Sequence, residues 1–278
     1  MTDWFAANGR DLPWRHSRDP WEILVSELML QQTQVARVVD RLPRFLERFP
    51  TPSACAAAPA GDVIDEWAGL GYNRRALALH RAAGVMVEAH DGAVPRDLAD
   101  LLALPGIGPY SARAVRVFAF EEVDAVVDTN IARVLARVAG EPMRAAAVQR
   151  LADQLVPADD PWTWNQAVMD VGALRCRPTP RCDDCPLATD CAWATAGRPD
   201  PDPAATTAGV STRQSTFEGS DRQGRGRLVD ALRRGPVPAG ELAAAMGWGD
   251  DHDRAERVAA TVVGDGLAVV ERGTYRLP

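Results

Sequence analysis

Two carboxylates, four thiols and one glycine-rich turn are the residues of this chain with the most chemistry to offer. Glu27 stands in Ser26-Glu27-Leu28-Met29-Leu30-Gln31-Gln32-Thr33-Gln34-Val35. Leu24, Leu28, Gln31 and Val35 recur at helical spacing, and Glu27 shares their mostly inward stripe. Partial desolvation raises a carboxyl pKa, so Glu27 is expected to carry a proton near neutral pH. A Glu paired with an Arg at an interface fits the same helix equally well. Asp128 stands in Val126-Val127-Asp128-Thr129-Asn130, ahead of a second stripe at Ile131, Val134, Leu135 and Val138. Asp128, Thr129 and Asn130 are all natural N-cap residues. If one of the other two takes the cap, Asp128 is free for chemistry and stays ionised near the helix N-terminus. One protonated and one ionised carboxyl form the pattern of acid plus electrostatic stabiliser in glycosidic-bond cleavage.

Cys176, Cys182, Cys185 and Cys191 are separated by five, two and five residues. Four clustered thiols without a nearby His suit an iron–sulfur cluster or a closed zinc site, and spacing alone does not choose between them. Arg175, Arg177 and Arg181 surround the first loop and suit a basic, DNA-facing surface. Cys55, in an Ala-rich stretch, is read as a small core residue. In Leu104-Pro105-Gly106-Ile107-Gly108-Pro109-Tyr110, an apolar helix end meets Pro-Gly-x-Gly and Pro109 can open a new helix. An ordinary tight turn would look the same. With a helix on each side it becomes a helix–hairpin–helix, whose glycine backbone and helix N-terminus can hold one DNA phosphate.

The elements that must position these groups are short helices joined by Gly and Pro turns. Asp19-Pro20 opens the helix bearing Glu27, and a second helix is predicted over Val38 to Arg48. Gly61 to Trp67 reads as a short helix ended by Gly69-Leu70-Gly71-Tyr72, and Arg74 to His90 as a longer one broken by Asp91-Gly92. No run of period-two strands is predicted before residue 200, so this part is expected to be all-α. Residues 196–221, rich in Pro, Asp, Ala, Thr and Gly, read as a linker. Beyond it, helices over 222–234, 241–246 and 251–264 precede a hairpin around Arg272-Gly273, an order that resembles a winged helix. The expected domains are therefore 1–195, the linker, and a small α+β domain over 222–278. A small packing or interaction domain would fit the last equally well.

The totals bound the function. The chain has 278 residues, 46% of them apolar, and a net charge of −7, the profile of a globular chain with a real core. An acidic total argues against a general nucleic-acid coat protein but leaves room for a local basic face. All 31 basic residues are Arg. A Schiff base with an opened sugar needs an amine, and a guanidinium does not supply one, so no lysine-based lyase is expected. The first ten residues hold no apolar leader and no apolar run could span a bilayer, so a cytoplasmic, nucleoid-associated location is expected.

Together, seven ordered motifs resemble the adenine DNA glycosylase (MutY) family of the helix–hairpin–helix glycosylases, over about residues 1 to 195. They are Leu12-Pro13-Trp14-Arg15, Ser26-Glu27 to Val35, Trp67 to Tyr72, Leu104 to Tyr110, Val127 to Asn130, Asn165-Gln166 with Asp170-Val171-Gly172-Ala173, and the four cysteines. The Glu27 stretch is the most diagnostic, since the sister endonuclease III group has a different residue there. That group also has a catalytic Lys where this chain has Tyr110. The resemblance implies excision of adenine mispaired with 8-oxoguanine or guanine in base excision repair, by a monomer acting on double-stranded DNA. It implies that Glu27 protonates the flipped adenine and handles the attacking water. Asp128 would stabilise the sugar cation, with Tyr110 and Asn130 supporting the carboxylates. Trp14, Arg15 and Gln166 would line the base pocket. Leu30 and Gln31 would contact the DNA, Gln32 and Tyr72 would wedge into the duplex, Thr33 would touch the partner base, and Gly106 and Gly108 would hold the backbone. Cys176, Cys182, Cys185 and Cys191 would bind a 4Fe-4S cluster.

Three departures stand out. The first cysteine spacing is five residues rather than the family's usual six. Asp128-Thr129-Asn130 replaces a common Asp-Gly-Asn. The C-terminal part is short and unlike the Nudix-related domain with which many members read 8-oxoguanine. A related glycosylase for uracil or thymine opposite guanine is one alternative. A non-catalytic iron–sulfur binder of DNA structure is another.

Overall fold

The computed structural model describes residues 1–210 and 216–278; residues 211–215, within the expected linker, lie outside the described residues. Among the described residues, helices α1 (Thr2–Asn8), α2 (Pro20–Leu30), α3 (Val35–Arg48), α4 (Pro52–Ala57), α5 (Ala60–Glu66) and α6 (Arg74–Ala89) come first. Then follow α7 (Leu98–Ala103), α8 (Pro109–Phe120), α9 (Thr129–Ala139), α10 (Ala145–Leu155), α11 (Pro161–Leu174) and α12 (Ala192–Thr195). The C-terminal part holds α13 (Asp221–Arg234), β1 (Val237–Pro238), α14 (Leu242–Met246), α15 (His252–Gly264), β2 (Val269–Glu271) and β3 (Thr274–Arg276). The predicted all-α character before residue 200 holds among these residues, and the small C-terminal sheet has the order β1-β3-β2. The short β1 was not anticipated, because two residues carry no readable period. Among the described residues, no helix is long and apolar enough to cross a membrane.

Local signals explain most boundaries. Thr51, Asp160, Ser220 and Asp251 each accept a backbone N–H as N-caps, and Pro52 and Pro161 take the first turn where no donor is needed. Gly140 closes α9 at φ 76°, a left-handed conformation that glycine adopts without steric cost. Arg272 and Gly273 are both left-handed (φ 50° and 75°), as a tight β2–β3 hairpin requires. The stripe read through Gln31 and Val35 is not one helix. α2 ends at Leu30 and α3 begins at Val35. Residues 23–29 are all buried, so α2 is a core helix rather than an amphipathic one.

The described residues form two compact units. The first gathers Met1–Ile23, Arg96–Leu98 and the described part of Gly108–Arg213. Its core joins Ile131, Leu135, Val148, Trp164, Val168 and Val171 from α9, α10 and α11. The second gathers Leu24–Pro95, Ala99–Ile107 and the described part of Gln214–Pro278. There Phe45 meets Trp67 edge-on at 5.9 Å, beside fully buried Leu24, Leu28, Leu42, Ile64 and Met86. The C-terminal segment packs within this second unit. Arg233 Nη2 donates to Ile64 O (2.8 Å) and Asn73 Oδ1 (2.9 Å). The first half of the expected linker is likewise packed. Pro203–Thr206 forms a 3-10 turn, and Ala204 and Thr207 are buried in the first unit.

Candidate active site and cysteine cavity

In the second unit, Glu27 sits on α2 and is 4% exposed, with Ser26 fully buried beside it. A carboxyl this enclosed meets the expectation of desolvation. After Leu30 the chain turns. Gln32 is exposed with φ 54°, and Tyr72, 42% exposed, follows Gly71 with φ 47°. Thr33 Oγ1 donates to Leu70 O at 3.2 Å, tying the two turns together. Gly106 is left-handed (φ 77°), and a Cβ there would meet that of Ala78 at 2.6 Å, so conformation and packing both demand glycine. Gly108 differs. It is the extended N-cap of α8, ahead of Pro109, and a Cβ there would meet nothing within 4 Å. Tyr110, the second residue of α8, is half-buried.

In the first unit, Asp128 is itself the N-cap of α9, which corrects the reading that left the cap to a neighbour. Its Oδ1 accepts from Ile131 N (2.7 Å) and its Oδ2 from Asn130 Nδ2 (2.9 Å). Burial pushes the Asp128 pKa up, against the pull of these two donors and of Arg133. The helix N-terminus therefore does not hold it at an ordinary carboxylate value, because enclosure outweighs it. The segment feeding Asp128 is pinned by Asn165, whose Oδ1 accepts from Val126 N (2.8 Å) while its Nδ2 donates to Asp124 O (3.0 Å) and Pro161 O (2.8 Å). Asp124 is held in turn by Arg113 and Arg116.

Trp14 and Gln166 are buried, at 5% each. Arg15 is buried too, but both its terminal nitrogens bind Asp170 at 2.8 Å. Burial alone would raise Asp170, but Arg15 and the Arg10 amide pull it below its usual value. Its guanidinium is thus committed to fastening the N-terminal segment to α11.

The four cysteines line one concavity with Val134, Val138, Val171, Leu187 and Trp193. Arg137, stacked 4.9 Å from the Trp193 ring centre, donates to Cys176 Sγ at 3.3 Å, and Cys191 Sγ donates to Arg137 O at 3.1 Å. Among the described residues, no three His, Cys, Asp or Glu side chains are arranged to hold a single metal ion. Cys55 is fully buried and its thiol is pushed up to about 12 by burial, as a core residue would be. Sequence reasoning missed Arg133. It donates to Cys176 O (2.5 Å), Gly172 O (2.8 Å) and Asn130 Oδ1 (2.6 Å), joining the cysteine loop to the neighbour of Asp128. Its position one turn after Asn130 on α9 was the available signal. Thr129, the residue replacing a common Gly, donates to Gly209 O at 3.0 Å.

Residues 25–176 match the family described as HhH-GPD superfamily base excision DNA repair protein. The adenine DNA glycosylase of Mycobacterium tuberculosis is 40% identical over 99% of this chain and 91% of its own length. That of Mycolicibacterium smegmatis is 41% identical over 96% and 90%. A solved thermostable thymine-DNA glycosylase superposes with TM-score 0.65 at 30% identity, covering 70% of this chain and 93% of the other.

Proposed function

The chain belongs to the HhH-GPD superfamily and, within it, to the adenine DNA glycosylase family, and from that premise we propose that it excises adenine mispaired with 8-oxoguanine or guanine in double-stranded DNA. The observation that carries the reading is the enclosed Asp128 carboxylate, held by two donors at the start of α9. It stands in a chain similar to adenine DNA glycosylases over 99% of its length. Glu27 gives a proton to the departing adenine and takes one back from the attacking water. Asp128 opposes the positive charge that grows on the sugar as the glycosidic bond breaks. Asn130 holds Asp128 in register, and Tyr110 supports the carboxylates. The base is extruded first, since a stacked base hides its glycosidic bond and a mispair costs less to unstack. Gln32 and Tyr72 fill the gap, Leu30, Gln31 and Thr33 meet the DNA around it, and Gly106 and Gly108 carry a phosphate. Trp14 and Gln166 line the base pocket, with Arg15 holding that wall through Asp170.

Cys176, Cys182, Cys185 and Cys191 bind a 4Fe-4S cluster in this reading. Their shared, apolar-walled concavity and the Arg137 donor to Cys176 fit such a group. The cluster supplies a structural tie for the loop, not a step of the hydrolysis. The enzyme acts as a monomer in the cytoplasm, at the nucleoid.

The similarity to a thymine-DNA glycosylase favours one second reading, removal of thymine or uracil opposite guanine. Excision assays on a panel of mispaired duplexes decide between them. Adenine release opposite 8-oxoguanine or guanine is expected; release of thymine or uracil without adenine sinks the first reading. With no lysine in the chain, borohydride should trap no rapid covalent adduct with the abasic product.

A further inference from the structure

Arg75, half-buried in the first turn of α6, meets six acceptors through its two terminal nitrogens. Its Nη1 donates to Leu28 O (2.7 Å), Met29 O (3.1 Å) and Gln31 O. Its Nη2 donates to Thr33 Oγ1 (3.0 Å), Leu70 O (3.1 Å) and Gly71 O (3.1 Å). The guanidinium lies 5.6 Å from the Trp67 ring centre and 5.5 Å from that of Tyr72. One side of the fork thus takes carbonyls at the end of α2, where a helix has no internal donors left. The other takes the turn that ends at Tyr72. Gln32 and Tyr72 both have left-handed backbones, which a residue with a side chain keeps only when its surroundings over-determine it. Burial lowers the Arg75 pKa to about 10, so the fork stays charged at neutral pH.

We propose that Arg75 is the positioning residue of the duplex-inserting turns, holding Gln32 and Tyr72 in their inserted conformation before DNA arrives. This rests on the proposed role of those two residues in DNA. Without Arg75, two loops would have to be ordered at the moment of base extrusion, and that entropy would count against opening the duplex. A lysine keeps the charge but lacks the planar fork, so it does not reach both turns at once.

The test compares full-length wild type, Arg75→Lys and Arg75→Ala, with Tyr72→Ala alone and combined with Arg75→Lys. Single-turnover adenine excision is measured on a duplex with adenine opposite 8-oxoguanine. A second duplex carries adenine opposite an abasic analogue, where it is already poorly stacked. A 2-aminopurine beside the target reports unstacking. Arg75→Lys should slow excision from the first duplex roughly 10- to 100-fold and from the second by less than about threefold, with the fluorescence gain reduced. The double variant should be slower than Tyr72→Ala only by the share that Gln32 carries, so the two losses combine to less than their product. Equal slowing on both duplexes, additive losses, or no change would overturn the assignment. Should Arg75→Ala fail to fold, Arg75→Lys carries the test. A wild type that excised nothing would remove the glycosylase reading, and the fluorescence arm would still decide for or against Arg75.

Discussion

Asp128 shows how much one residue's surroundings change its chemistry. As an N-cap it is an ordinary helix start; enclosed and doubly hydrogen-bonded, it is a carboxylate whose ionisation is contested. Its folded pKa lies above the unfolded value, so the folded state holds that proton more tightly. The stability it contributes is full below the unfolded pKa and is lost as pH rises through the folded one. Asp128→Asn, which can still accept from Ile131 N, should therefore not lower the melting temperature at neutral pH. Excision should fall by at least about a hundredfold while duplex binding persists, because the charge proposed to oppose the sugar cation is gone. Filter binding and single-turnover rates measured side by side check this. The same balance gives a pH prediction. Asn130 donates to Asp128 and holds its pKa down, so Asn130→Ala should move the acidic limb of the excision profile to higher pH. An unmoved limb would mean that another group controls it.

Between elements, α11 approaches the start of α9 closely enough to leave no room for a Cβ. A Cβ on Gly172 would sit 2.6 Å from Asn130 Cβ and 3.0 Å from Asn130 O. Gly172→Ala must push Asn130 aside, and overpacking of this kind costs about 1–3 kcal/mol. Both melting temperature and excision should drop. Gly84, inside α6, meets nothing within 4 Å. Gly84→Ala should add roughly 0.5–1 kcal/mol of stability through helix propensity and leave excision unchanged. The contrast between two helical glycines, read by thermal denaturation and excision together, separates a packing requirement from mere tolerance.

At the scale of the whole molecule, Arg137 is one tie that makes residues after the cysteines part of the first unit. It is 1% exposed and binds Asp202 (2.5 Å), Arg177 O (2.6 Å), Pro178 O (3.0 Å) and Cys176 Sγ (3.3 Å). Removing one partner of such an assembly leaves unpaired buried groups, so Arg137→Ala should cost about 3–5 kcal/mol. Denaturant unfolding measures that, and the iron of the proposed cluster should be lost to a chelator in parallel. Asp202 would be raised by burial but is pulled below its usual value by Arg137. Its share of the stability is present above the unfolded carboxylate pKa and disappears as pH falls through the folded one.

Many of the helices, the hairpin turn and the family were legible in the sequence, because capping residues, Gly-Pro punctuation and motif order are local and survive without neighbours; α1, α4, α10, α11 and α12 were not read from it. Glu27, Asp128 and the four cysteines could be picked out as candidates by type and spacing for the same reason. Which residue caps α9, where Asp128 titrates and what Arg15 is occupied with depend on groups distant in the chain. So does the packing of the compositional linker: Thr129 and Arg137 find Gly209 and Asp202 more than sixty residues away. The Arg75 fork joins carbonyls of two separate segments, and a carbonyl is the same in every residue, so no sequence pattern could announce it. Only the tertiary structure decides where backbone groups converge.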